Sequence, residues 1–350
     1  MNNQYHIIGL MSGTSLDGLD MVKCVFQKEK QWSFKMEKSE TIPYPKYWEE
    51  KLRNLHTKDE KEIEKTSIKY GELLGKLSLE FIKKNNLKCD YISSHGHTIF
   101  HRPKLGYTLQ IGGGKTISEY TNITTINNFR ELDISLGGQG APLVPIGDLH
   151  LFSEYKYCLN LGGFANISSK NEDGTIIAFD ICPVNFVINK LSNKLGKSFD
   201  NKGGIAKSGT LKSDLLEELN NLSFYTSSSP KSLGREWVED IIFPILEKYD
   251  YSDKDKMNTF CEHIGIQIGT FLKGDSVLVT GGGTFNNYLI ERIEHYSISK
   301  IIIPNSENID FKEAIIFAFL GVLKLRNEIN CLSSVTGAKR DSSGGDIYLK

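Results

Sequence analysis

The 350-residue chain carries 42 basic and 43 acidic residues, a formal charge of −1 that implies neither a broad nucleic-acid footprint nor attachment to a membrane surface. That length suits two lobes of ordinary domain size, with a core large enough to need no staples. Six cysteines stand far apart at 24, 89, 158, 182, 261 and 331, so neither a zinc site nor a disulfide framework is signalled, and with no leader or membrane-length apolar run a cytoplasmic protein is expected.

The chain opens with an apolar run from His6, a turn Ser12-Gly13-Thr14-Ser15-Leu16-Asp17-Gly18-Leu19-Asp20, and a second apolar run through Phe26. This reads as strand, tight turn, strand. The turn lacks the lysine of a Walker loop and the glycine spacing of a dinucleotide loop, and it does not open a helix. Its backbone N–H groups and the hydroxyls of Ser12, Thr14 and Ser15 suit an anionic phosphate, with Asp17 and Asp20 placed to hold a metal ion bridging phosphates. The alternative is an ordinary hairpin loop capped by Ser and Asp.

Residues 32–42 form a third strand ended by Pro43 and Pro45, and residues 58–86 an amphipathic helix whose charges make a solvated face. A strand over 89–94 runs into a loop containing His95, His97, Thr98 and His101; contact with a polar ligand is expected of His95 and His97 rather than a metal. A short strand at 123–128 precedes Arg130, Asp133 and the glycine-rich residues 137–145, a loop of special backbone geometry expected to join the lobes. Arg130 and Asp133 suit substrate recognition or a structural ion pair.

Residues 157–168 repeat the opening pattern, with Gly162 and Gly163 in the turn. The next strand, 175–180, ends in Asp180 and meets Pro183, a favoured residue of a first helical turn. Asp180 is therefore expected at a strand end facing a helix N-terminus that holds it ionised, or simply as that helix's cap. Further helices follow from 211, through Trp237 with a kink at Pro244, and over 257–271. The strand 276–280 enters Gly281-Gly282-Gly283 before a helix, a turn that lets a nucleotide approach the backbone. A strand at 300–303, taken as the last, and a helix from 311 to about 326 carrying Glu313 complete the elements. Two lobes opening alike imply an internal duplication around a cleft, with parts sufficient for phosphoryl transfer.

These residues resemble the anhydro-N-acetylmuramic acid kinases of the sugar kinase, Hsp70 and actin superfamily. The resemblance rests on Gly-x-Met-Ser-Gly-Thr-Ser-x-Asp-Gly-x-Asp at 9–20, Gly-Gln-Gly-Ala-Pro-Leu-Val-Pro at 138–145, Lys-Ser-x-Gly-Arg-Glu at 231–236 and Val-Thr-Gly-Ala at 335–338. It implies an α/β fold, a two-lobed actin-like ATPase built as a ribonuclease H-like duplication, with mixed sheets, helices on both faces and a cleft between lobes. The lobes are expected at 1–128 plus 331–350 and at 129–330. It also implies an ATP- and Mg²⁺-dependent kinase, a homodimer acting on a small-molecule sugar, 1,6-anhydro-N-acetylmuramic acid, with hydrolytic opening of the anhydro bridge and phosphorylation of O6 in peptidoglycan recycling. Residues 12–20 and the glycines 162, 163 and 281–283 would bind ATP, Asp17 would meet the metal, and Asp180 would activate water toward C1. His95, His97, Thr98, Arg130, Asn185 and Glu313 would lie on the substrate side. The family usually has Asp-Thr-Gly-Pro-Gly-Asn where this chain has Asp180-Ile181-Cys182-Pro183-Val184-Asn185, and Gln at the position of His97. Ile181 and Val184 are expected to fill space near the base. A non-catalytic ATP- and sugar-binding regulator and a kinase for a different sugar are the competing readings; a dehydrogenase fits neither glycine loop.

Overall fold

In the computed structural model, which describes residues 3–13, 16, 18–227 and 231–350 and all their side chains except those of 306 and 308, the opening apolar run forms β1 (Gln4–Ser12). It returns antiparallel as β2 (Leu19–Lys28), and β3 (Trp32–Ile42) completes a three-stranded meander. Ile7, Ile8, Leu10, Met21, Val22 and Phe26 are wholly buried, whereas the edge strand β3 alternates and carries its lysines outward.

On the other side of β1, β4 (Tyr91–Arg102) runs parallel to it, which requires a long crossover. The helix Glu60–Asn85 supplies it. Asp59 caps its start by accepting the Glu62 N–H, Asn86 ends it at φ +49°, and Tyr70, Leu74 and Phe81 are its buried stripe. The expected loop after residue 94 is instead a continuation of β4, because β5 (Tyr107–Ile111) pairs antiparallel with residues 97–102. β6 (Thr124–Asn127) lies parallel to β4, and a strand at Asp346–Tyr348 pairs antiparallel with β6, so 300–303 is not the last strand.

The second sheet repeats the first. β7 (Tyr157–Leu161), β8 (Phe164–Lys170) and β9 (Ile176–Pro183) form an antiparallel meander, and β10 (Ser276–Thr280) and β11 (Lys300–Ile302) add in parallel beyond β7. In both sheets the order is third, second, first, fourth, fifth strand, with only the second antiparallel to the rest; β5 and the strand Asp346–Tyr348 are additions to the first. This is the ribonuclease H-like unit present twice, the duplicated α/β fold of the actin-like ATPases.

The chain divides into two compact units, Met1–Leu151 with Phe311–Lys350, and Phe152–Asp310. The divisions fall at 151/152 and 310/311 rather than 128/129 and 330/331, for two physical reasons. The helix Lys312–Leu325, apolar nearly all round, packs on β1, β2 and β4, so closely that a Cβ on Gly9 would stand 2.3 Å from the Ala314 carbonyl oxygen. Residues 137–140 are tied into the same unit: Gln139 N–H donates to Thr336 O at 2.9 Å, and the buried Asp133 carboxylate accepts the Gly140 N–H at 2.7 Å and the Thr336 hydroxyl at 2.7 Å. That loop therefore does not join the units. In the second unit Pro244 follows a π-helical segment, Val238–Ile242, in a helix that its missing N–H cannot keep regular.

Candidate active site

The expected site residues fall into one group per unit. In the first, Thr14, Ser15 and Asp17 lie outside the described residues. Leu16 holds φ +62° with its side chain buried, and Gly18 admits no side chain because a Cβ would meet the Ile42 carbonyl oxygen at 2.6 Å. Leu19 is buried as the first residue of β2. Asp20 on β2 accepts the Thr41 hydroxyl of β3 at 2.5 Å. The Ser12 hydroxyl is buried, accepting from Tyr44 Oη at 2.7 Å and lying 2.9 Å from His97 Nδ1. Gly13 is the turn's first residue beyond β1 and is partly exposed.

A bulge explains where the histidines point. Between the pairs Leu10–Ser94 and Ser12–His97, β4 carries one residue more than β1, and Gly96 takes φ +73° to absorb it. His97 is thereby turned onto Ser12, and its pKa is lowered to about 4 by burial. His95 Nδ1 lies 2.9 Å from the Gly96 carbonyl oxygen, which can only accept, so Nδ1 carries the proton and Nε2 is an acceptor. Arg130 satisfies it with Nε at 3.2 Å and Nη2 at 2.9 Å, while Nη1 donates to Gly140 O at 2.6 Å. Burial and the adjacent guanidinium hold His95 well below its usual range, and burial lowers Arg130 to about 10 against the opposing Glu313. Arg130 and Asp133 thus serve opposite ends of the Gly140 peptide rather than pairing with each other. Glu313 reaches solvent, yet the protein around it raises its pKa by desolvation, with Arg130 and Lys312 opposing. Thr98 is half-buried, 3.4 Å from Gln110 Nε2.

In the second unit Asp180 lies within β9, three residues before its end, opposite Asn166. Its N–H donates to Lys231 O at 2.9 Å and its carboxylate accepts the Leu233 N–H at 2.8 Å. These partners lie in the segment before the helical turn Arg235–Trp237 and not in the helix that follows β9. Pro183 ends the strand, and the helix Asn185–Lys194 begins after Val184 with no side-chain cap. Asp180 is accordingly no cap, and desolvation raises its pKa, with the Leu233 N–H opposing. Ile181, Cys182 and Val184 are buried in the unit's hydrophobic core, and none has a positive φ that would favour glycine.

Gly162, Gly163, Asn185 and the 281–283 turn gather around the end of β7. Asn185 N–H donates to Gly162 O at 3.2 Å, Val184 N–H to Gly163 O at 2.8 Å, and Asn185 Nδ2 to Leu161 O at 3.1 Å. Gly281, at φ +87°, and Gly283 are required by packing, since a Cβ on either would stand within 2.8 Å of β7 atoms; Gly282 has open space. The turn leads into a 3₁₀ turn, Gly282–Phe285, before the helix Asn287–Tyr296, which Asn286 already caps through the Leu289 N–H. Tyr44, Tyr70, Lys231 and Leu233 carried no signal of their roles, because each acts through a contact distant in sequence. Among the described residues no group of three or more His, Cys, Asp or Glu is assembled that could hold a metal ion, and no helix is long and apolar enough to cross a membrane.

Residues 5–350 match the family model described as anhydro-N-acetylmuramic acid kinase. The chain belongs to this family. The anhydro-N-acetylmuramic acid kinase of Crocosphaera subtropica is 37% identical over 383 residues, spanning 98% of this chain and 99% of that protein. Those of Caldanaerobacter subterraneus subsp. tengcongensis and Mannheimia succiniciproducens are each 33% identical, over 98% and 100% of this chain and 96% and 100% of theirs. As a member of the anhydro-N-acetylmuramic acid kinase family the chain is a phosphotransferase, of a family whose role is peptidoglycan recycling. Asp180 is a carboxylate raised in pKa and held by a backbone N–H.

Proposed function

We propose that this enzyme adds water to C1 of 1,6-anhydro-N-acetylmuramic acid and transfers the γ-phosphoryl group of ATP to O6, giving N-acetylmuramic acid 6-phosphate. The observation that carries the reading is Asp180, a carboxylate partly removed from water with one oxygen oriented by Leu233 and no cap to serve. Asp180 takes a proton from the attacking water, the new bond forms at C1, the C1–O6 bond breaks, and O6 attacks the γ-phosphorus as ADP departs. One step supplies the nucleophile of the other. Residues 12–20 hold the phosphates through backbone N–H groups, and Asp17 would be the residue to hold Mg²⁺, whose charge would neutralise the polyphosphate; carboxylate oxygen is a donor suited to that hard cation. Gly162, Gly163 and 281–283 take the nucleoside side, the open space at Gly282 being the closest approach offered to it. Arg130, oriented by His95, recognises the sugar with Glu313, Thr98 and Asn185, and the placement of Ile181, Cys182 and Val184 in the core supports keeping the family's substrate. The enzyme works in the cytoplasm, where ATP is supplied, as a homodimer. Mass spectrometry of the product after incubation with ATP, Mg²⁺ and the anhydrosugar tests the reading: a gain of phosphate plus water is expected, with ¹⁸O from labelled water at C1. A gain of phosphate alone would indicate ordinary hydroxyl phosphorylation, and no gain a regulator.

A further inference from the structure

Ser12 stands where β1 gives way to the opening turn, and only 2% of it is exposed. Three side chains from three other places in the fold meet its hydroxyl: Tyr44, from the segment between β3 and the helix Lys46–Asn54; Tyr70, behind Tyr44, from the helix Glu60–Asn85; and His97, from the bulged part of β4. Tyr44 donates to Ser12, so it accepts from Tyr70, whose hydroxyl is wholly buried against it. The Tyr70 hydroxyl is a further hydrogen-bond partner of the Ser12 hydroxyl, which also lies 2.9 Å from His97 Nδ1. Burial keeps that imidazole neutral and able to accept.

We propose that Tyr70, Tyr44 and His97 are positioning residues for the phosphate-binding turn, joined with Ser12 in a buried hydrogen-bond cluster that fixes the point where the turn leaves the sheet. Ser12 then anchors the turn through its buried side chain, leaving anion contact at this end to the backbone. The inference rests on the reading of residues 12–20 as the phosphate site.

Two measurements on the full chain separate the inference from that reading: amide exchange at Gly13 and Leu16 in the unliganded protein, and calorimetric titration with ADP and Mg²⁺. Ser12→Ala, Tyr44→Phe and His97→Leu are each expected to speed exchange at Gly13 and weaken ADP binding by about fivefold, the worth of one ordinary hydrogen bond. The KM for ATP should rise likewise with kcat within about twofold. His97→Gln, whose amide oxygen can accept from Ser12, should stay within about twofold of the parent on both measurements. Parental exchange at Gly13 in folded Tyr44→Phe and His97→Leu would overturn the inference. So would weakened ADP binding confined to Ser12→Ala, which would make Ser12 a direct phosphate donor. A parent protein that does not bind ADP would overturn the phosphate reading instead, and the exchange measurement would still decide whether the anchor exists.

Discussion

Replacing Asp180 with Asn separates its chemistry from its place in the fold. Asn keeps an oxygen for the Leu233 N–H, so the 2.8 Å contact survives, while proton acceptance is lost. Removing a general base slows turnover by about two to four orders of magnitude, or about 3–5 kcal/mol in the barrier. Stability should move the other way. Desolvation raises the carboxyl above its ordinary value of 3.8, so the folded state binds this proton more tightly than the unfolded chain does. The parent therefore loses stability as pH rises from 3.8 through the folded value, and keeps that deficit at neutral pH. Asn lacks the deficit, so Asp180→Asn should melt at or above the parent temperature at pH 7, the gain fading once pH falls below the unfolded value. Asp180→Ala, which strips the partner from Leu233, should instead cost about 1 kcal/mol. The assay is product formation by mass spectrometry with melting curves alongside. Turnover by Asp180→Asn within a few-fold of the parent would refute the base and leave Asp180 a structural acceptor, moving the role to another carboxylate such as Glu313.

Gly13→Val is expected to abolish ADP binding while leaving the melting curve intact, and retained affinity in calorimetry would remove Gly13 from the phosphate site. Arg130→Lys cannot reproduce the three-pronged contact to His95 and Gly140, and should lower stability to urea by about 1–3 kcal/mol; an unchanged midpoint would show that the contacts carry no net energy. His263, buried between Asn220 and Tyr225, has its pKa lowered to about 3, so the unfolded chain binds the extra proton from pH 6.5 downward and stability falls with acid in that window. His263→Gln should flatten the dependence by about 1.4 kcal/mol per pH unit between roughly pH 4 and 6, checked by urea titrations across pH.

Local pattern and chemistry read well from the chain where partners are near in sequence. The opening hairpin and its repeat at 157–168 were legible because each strand pairs with the next, and the helix expected at 58–86 is observed at Glu60–Asn85, its start marked by Asp59. Distant partners hid the rest. Residues 95–102 read as loop because their pairing strand, Tyr107–Ile111, is a half-polar pentapeptide with little signal of its own. Asp180 was legible as a residue of interest, but its hydrogen-bond partner Leu233 is 53 positions away, and the desolvation that raises its pKa comes from packing the sequence does not display. The outward or inward sense of Ile181, Cys182 and Val184 turned on where β9 ends, three residues later than its carboxylate suggested. Unit boundaries differed for the same reason, since the helix Lys312–Leu325 belongs with β1, β2 and β4, all far earlier in the chain.

That helix also dictates an order of events on the ribosome. The second unit, Phe152–Asp310, is continuous and has all its strands in hand once residue 310 has emerged. The first unit does not: the face of its sheet that receives Ile315, Phe317 and Phe319 stays wet while the whole of the second unit is being synthesised. Domains generally fold as units during synthesis, so the portion translated first is here the portion that finishes last, and for the intervening half of translation it presents apolar strands to its surroundings. Nascent chains stalled near residue 310 should thus be captured by chaperones through their amino-terminal half, and release should coincide with the arrival of residues 312–325.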